Sequence, residues 1–183
     1  MSTTEEVEYK VLGVTPGNIA QAMNTIGAKQ VYDDVRTITY FDHPDRSLKK
    51  NGEGIKLTEE GKLKLEFTRK AENGQSDTVK LFVSRKAEAV EFLKRLNLVP
   101  VTQVQARRIS YELGSVDYDI DYFPGIPPFM EIDLADSEVE LTDVLGKLGL
   151  TENEVIVATT PEIFARYGKD YFAEFAIRDG QEQ

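Results

Sequence analysis

Glu6-Val7-Glu8-Tyr9-Lys10-Val11 alternates charged and apolar residues without a break. In an extended strand, successive side chains point to opposite faces. Val7, Tyr9 and Val11 then share one face, and Glu6, Glu8 and Lys10 share the other. A charged row of this kind ordinarily faces water. It lines an interior instead when other strands bring matching polar rows and close around them.

Other parts of the chain supply such rows. Glu131-x-Asp133 repeats the acidic i, i+2 spacing of Glu6-x-Glu8. Carboxylates two residues apart on a strand lie about 6–7 Å from one another. Two such pairs facing across a lumen repel unless cations sit between them. The chain has no cysteine and a single histidine, His43, so thiolate and multi-histidine metal sites are excluded. A metal here must be held by oxygen, which suits Mg²⁺ or Mn²⁺, with Ca²⁺ also admissible. Lys10, Arg36, Lys56, Lys70 and Arg108 offer cations from strands. Carboxylate-held metal beside lysine and arginine is an environment for a chain of phosphates.

Plainer readings stand beside this one. Asp117, Asp119 and Asp121 form a third acidic row, which a solvated hairpin surface explains equally well. Lys64-x-Glu66 reads as a cross-strand ion pair. His43, before Pro44, reads as a turn residue, and Tyr111, Tyr118 and Tyr122 as rim or core.

The periodicity predicts eight strands and about four helices. Thr15-Pro16 starts a helix whose stripe is Ile19, Ala22, Met23 and Ile26, stopped by Gly27. Strands follow at 31–42, at 54–70 as a hairpin turning at Glu59-Glu60-Gly61, and at 77–83. Ser84 is placed as the cap of a helix burying Ala89, Val90, Leu93 and Leu96. Strands at 100–113 and 115–122 turn at Gly114. Pro124-Gly125-Ile126-Pro127-Pro128 then delivers the strand Phe129 to Leu134. Ser137-Glu138-Val139-Glu140 reads as a capping box for a helix bearing Leu141, Val144, Leu145 and Leu148. A last helix is expected from Thr160-Pro161, and the tail 178–183 is expected to fray. Five strands alternate polar with apolar, so the expected class is α+β: an eight-stranded antiparallel barrel, or tunnel, with helices packed outside.

Composition narrows the function. With 183 residues and no long linker, 1–177 is expected to form a single domain. A net charge of -10 argues against a general nucleic-acid surface. No apolar run approaches a membrane span and MSTTEE is not a signal peptide, so a cytoplasmic protein is expected.

In their order along the chain, these motifs resemble the CYTH superfamily of triphosphate tunnel metalloenzymes. That group includes class IV adenylyl cyclases, thiamine triphosphatases and inorganic triphosphatases. The resemblance rests on Glu6-x-Glu8-x-Lys10; Tyr40-Phe41-Asp42 followed by Pro44-Asp45-x-x-Leu48; Thr68-x-Lys70; Arg107-Arg108-x-x-Tyr111; and Asp121 ahead of Phe129-x-Glu131-x-Asp133. It implies a barrel whose lumen binds a triphosphate with Mg²⁺ or Mn²⁺. It implies Glu6, Glu8, Glu131 and Asp133 as metal ligands, and Lys10, Lys56, Lys70 and Arg108 as phosphate contacts, with Arg36 added from its strand position. Glu6, Glu8 and Lys10 are the expected catalytic residues. The expected partner is a small triphosphate: tripolyphosphate, ATP or thiamine triphosphate. A homodimer is compatible with the sequence.

The chain departs from the family pattern in four places. Ile55-Lys56-Leu57-Thr58 stands for Leu-Arg-x-Arg, Ala106 for a lysine, Ile38 for an aspartate, and Asp133 for a glutamate. Each lost cation is expected to weaken charge-assisted binding by about 1.5–3 kcal/mol. The expected activity is metal-dependent triphosphate hydrolysis. Adenylyl cyclisation of ATP and non-catalytic binding of polyphosphate or nucleotide are the alternatives.

Overall fold

The computed structural model describes residues 9–70, 76–134, 139–151 and 155–178. Its strands are β1 (Tyr9–Leu12), β2 (Lys29–Asp42), β3 (Glu53–Glu60), β4 (Lys62–Lys70), β5 (Ser76–Val83), β6 (Val99–Leu113), β7 (Val116–Tyr122), β8 (Phe129–Leu134) and β9 (Val155–Val157). Its helices are α1 (Pro16–Ile26), α2 (Ser47–Lys50), α3 (Lys86–Arg95), α4 (Leu141–Leu148), α5 (Thr160–Arg166) and α6 (Tyr171–Glu174). The strands hydrogen-bond in the order β5-β4-β3-β2-β6-β7-β8-β1-β9. The pairs β1/β8, β1/β9, β2/β3, β3/β4, β4/β5, β6/β7 and β7/β8 are all antiparallel. The class is the expected α+β, an antiparallel sheet with helices. There is one strand more than expected among the described residues, because Val155–Val157 adds to β1.

The chain divides into two compact units. The described part of the first is 36–70, 76–105 and 170–178. Its core is Phe41, Leu57, Leu93 and Leu98, with Ile55, Leu65, Val83 and Val90 packed around them. Phe41 pairs with Ile55 and Leu57 with Leu65, so one face of this part of the sheet is apolar. α3 covers it with Ala89 and Leu93. The opposite face carries the register row Tyr40, Lys56, Glu66, Lys80. Two helix details differ from expectation. Arg85, not Ser84, is the N-cap of α3, and Leu96 is its C-cap, half exposed rather than buried. Leu98, beyond the C-cap, takes the buried place that the periodicity assigns to Leu96.

The end of the chain returns to this first unit. The Gln103 N–H donates to the Phe175 carbonyl at 3.0 Å, and the Ile177 N–H donates to the Val101 carbonyl at 3.1 Å. Tyr40, Tyr171, Phe172 and Phe175 meet edge-to-face above that seam.

The second unit comprises, as described, 9–35, 106–134, 139–151 and 155–169. Its core contains Val11, Ile19, Met23, Tyr111, Tyr118, Ile120, Met130, Ile132, Val144 and Leu145. α1 contributes Ile19 and Met23, and α4 contributes Val144 and Leu145. Pro16 opens α1 where its missing N–H costs nothing, and Gly27 closes it at φ 78, in the left-handed region open to glycine. Ser137 and Glu138 of the expected capping box lie outside the described residues, and Glu140 is the N-cap of α4. The last expected helix is α5, which begins at Thr160 as expected; Thr159 caps it and forms a reciprocal capping box with Glu162. Tyr111 and Tyr118 are core residues; Tyr122 is half-buried.

Candidate functional site

The charged row of the second unit is built by strand register. Arg108 of β6 lies opposite Asp121 of β7, and Ser110 opposite Asp119. Asp119 lies opposite Glu131 of β8, and Glu131 opposite Lys10 of β1. Directly opposed residues on antiparallel strands share a face. Four strands therefore bring Arg108, Asp119, Asp121, Glu131 and Lys10 to one surface, while Tyr118, Ile120, Met130 and Ile132 go to the other.

Arg108 is the hub. Its Nε donates to Asp121 Oδ1 at 2.7 Å and its Nη2 to Asp121 Oδ2 at 2.6 Å. Nη2 also donates to Glu131 Oε2, and Nη1 to Asp119 Oδ2. Lys10 Nζ donates to the other Glu131 oxygen, Oε1, at 2.8 Å. Lys10 and Asp121 have no exposed surface, and Arg108 is 8% exposed. Buried charges persist only when paired, and here each is.

The charges do not balance. Three carboxylates meet two cations, so with all of them ionised the row carries one excess negative charge. Burial pushes Asp119 up to about 6, although Arg108 and a hydrogen bond with Ser110 pull the other way; repulsion from Glu131 and Asp121 adds to the rise. Burial likewise works against the charge on Arg108. Asp121, Glu131 and Asp119 outweigh it and hold the guanidinium well above its ordinary pKa. Asp133, half-buried on β8, lies opposite Asp117. Burial, with Glu112 nearby, raises Asp117 as well.

The first unit has its own charged face. Arg36 is 6% exposed, and its Nη1 lies 3.6 Å from Glu60 Oε2. Lys56 Nζ is 3.3 Å from Glu66 Oε2, and Lys64 Nζ is 3.8 Å from Glu66 Oε1. Glu66 is 4% exposed. Lys70 ends β4 in an exposed position, its backbone N–H donating to the Gly52 carbonyl at 2.9 Å.

Several expectations change here. Glu6 and Glu8 lie outside the described residues. Asp119 and Asp121 are not a solvated hairpin surface: Asp121 is wholly buried as the fork partner of Arg108, and only Asp117 of that row is exposed. The signal was present in the sequence. Counting back from the two-residue turn between Leu113 and Val116 puts position 108 opposite 121. Lys64 and Glu66 form an ion pair along β4, at 3.8 Å, rather than across strands; across strands Glu66 faces Lys56 and Lys80. His43 does sit in a turn, its Nδ1 3.0 Å from the Asn97 carbonyl oxygen. Ile38, Thr58 and Ala106, which replace charged residues of the family pattern, are all buried.

A family model for the CYTH domain matches residues 4–160. The chain belongs to the CYTH domain family. Solved structures agree on the fold of this CYTH chain. A candidate adenylate cyclase from Vibrio parahaemolyticus superposes with a TM-score of 0.75 at 15% identity, over 90% of this chain and 99% of that one. A Pyrococcus horikoshii protein superposes at 0.67 and 22% identity, over 84% and 96%. A candidate adenylyl cyclase from Hippeastrum, described as having a dominant triphosphatase activity, superposes at 0.61 and 12% identity, over 90% and 95%. No protein of curated function matches the CYTH chain by sequence. Among the described residues, no helix is long and apolar enough to cross a membrane.

The donor set suits a hard divalent cation in atom type only, since both oxygens of Glu131 are held by Lys10 and Arg108. Its atoms are carboxylate oxygens, and the row around Arg108 has one more anion than cation. In this CYTH chain Asp119, Asp121 and Glu131 converge on the guanidinium. Among the described residues no group of three or more acidic or histidine side chains is placed to hold a metal ion.

Proposed function

We propose that this CYTH protein is a divalent-metal-dependent hydrolase of a triphosphate, inorganic or organic. The observation that carries the proposal is the buried row Lys10–Glu131–Arg108, in which one carboxylate is held by two cations through separate oxygens. Such second contacts orient a ligating carboxylate. In this reading Glu131 and Asp133, with Glu6 and Glu8, hold Mg²⁺ or Mn²⁺. Lys10, Arg36, Lys56, Lys70 and Arg108 contact phosphates. Glu6, Glu8 and Lys10 are the catalytic residues. Bound metal would neutralise phosphate charge and lower the pKa of a coordinated water. Residues 1–177 act as one domain, and the protein works in the cytoplasm.

The dominant triphosphatase activity of the Hippeastrum relative supports hydrolysis over its rival. That rival is cyclisation of ATP, supported by the likeness to the Vibrio adenylate cyclase candidate. Incubation with tripolyphosphate, ATP or thiamine triphosphate, with Mg²⁺ or Mn²⁺, should release phosphate and no cyclic AMP. Glu8→Ala and Glu131→Gln should abolish the release. Cyclic AMP as the main product would replace hydrolysis by cyclisation. Metal-dependent binding without turnover would leave a binding domain.

A further inference from the structure

We propose that Glu66 is a built-in competitor of the phosphate ligand, a specificity-determining residue that limits how much negative charge the site accepts. This deepens the proposed function and rests on Lys56 being a phosphate contact. Glu66 is 4% exposed and lies directly between Lys56 of β3 and Lys80 of β5 in the register row, with Lys64 two residues before it. Its Oε2 is 3.3 Å from Lys56 Nζ, yet among the described residues that oxygen has no hydrogen-bond donor in good geometry. The contact is Coulombic rather than directional. A fork or a short linear bond would fix the direction of the Lys56–Glu66 contact, whereas this ion pair attracts by charge alone. Thr58, on the same strand and buried, adds no charge to offset the carboxylate. A phosphate chain reaching Lys56 therefore shares it with Glu66 and is repelled by Glu66, and the repulsion grows with ligand charge.

The test compares wild type with Glu66→Gln, which keeps the shape and removes the charge. Affinities for the hydrolysis-resistant analogues diimidotriphosphate and imidodiphosphate are measured by calorimetry with Mg²⁺ present. Glu66→Gln should bind the triphosphate analogue roughly tenfold more tightly and the diphosphate analogue by a smaller factor. Glu66→Asp, which keeps the charge, should stay within about twofold of wild type. If Glu66→Gln does not fold, Glu66→Asp falling far from wild type overturns the proposal. Unchanged or weakened triphosphate binding in a folded Glu66→Gln also overturns it. Binding by neither wild type nor variant would instead sink the triphosphate reading itself.

Discussion

Arg108 grips Asp121 through two parallel hydrogen bonds, Nε to Oδ1 at 2.7 Å and Nη2 to Oδ2 at 2.6 Å, and Asp121 has no exposed surface. This fork fixes the plane of the guanidinium, leaving its outer edge to Asp119 and Glu131. Arg108→Lys keeps the charge but cannot reproduce the fork. Asp121→Asn should destabilise the protein by about 3 kcal/mol, the low end for breaking a buried ion pair, because two other carboxylates remain on the guanidinium. Urea unfolding with an unchanged slope would measure it. A loss below about 1 kcal/mol, the size of an exposed pair, would mean the fork adds little.

Asp119 gives a pH dependence. Its carboxyl is raised from 3.8 to about 6 in the folded protein. Between those values the folded state keeps a proton that the unfolded chain has released. Fewer protons are then bound on unfolding, and stability falls as pH rises through about 6. The shift is worth on the order of 3 kcal/mol. Asp119→Asn cannot ionise, so relative to wild type it should gain about that much between pH 4 and pH 7.5, without added metal. Equal changes in the two proteins' urea midpoints would refute the assignment.

Metal binding should show in stability as well as turnover. If Glu131 is a ligand, Mg²⁺ or Mn²⁺ at a hundred times its dissociation constant should stabilise wild type by about 2.7 kcal/mol. Chelator should reverse the gain, and Glu131→Gln should show little of it. A melting temperature that rises equally in both proteins would place the ion elsewhere.

Asp42 is a structural anchor in the Tyr40-Phe41-Asp42 motif. Its Oδ1 accepts the N–H of His43 at 2.7 Å and of Leu48 at 3.0 Å, and its Oδ2 accepts the N–H of Lys49 at 3.2 Å. It is 4% exposed. Asp42→Ala leaves these donors without their acceptor and should cost about 2–3 kcal/mol. Asp42→Asn keeps one acceptor oxygen and should recover part of that. Native-state hydrogen exchange at Leu48 and Lys49 would localise the effect; unaltered protection there would contradict it.

Much of this was legible in the residues. The period-two pattern located β3, β4 and β6 to β8 because each has an apolar face against a core and a polar face away from it. The i, i+3, i+4 stripes located α1 and α4 for the same reason. The short elements β9 and α6 escaped because three or four residues carry no period; pairing with β1 makes the first, and an Asp170 cap with an aromatic cluster makes the second. Lys10, Arg108 and Glu131 stood out by their alternation. For Asp119 and Asp121 the sequence leaves two readings open, because alternation alone does not distinguish a wet face from a buried ionic one. Glu66 does pair with Lys64, but its spacing along β4 does not show that a closer partner, Lys56, lies on the preceding strand.

The backbone bonds from Gln103 to Phe175 and from Ile177 to Val101 set an order of events during synthesis. The first unit has its sheet from the middle of the chain and its closing segment from beyond residue 170, with most of the second unit translated in between. On the ribosome the second unit can gather its strands once residue 169 has emerged. The first must wait, its Val101–Gln103 edge without its final partner, until residue 177 leaves the exit tunnel.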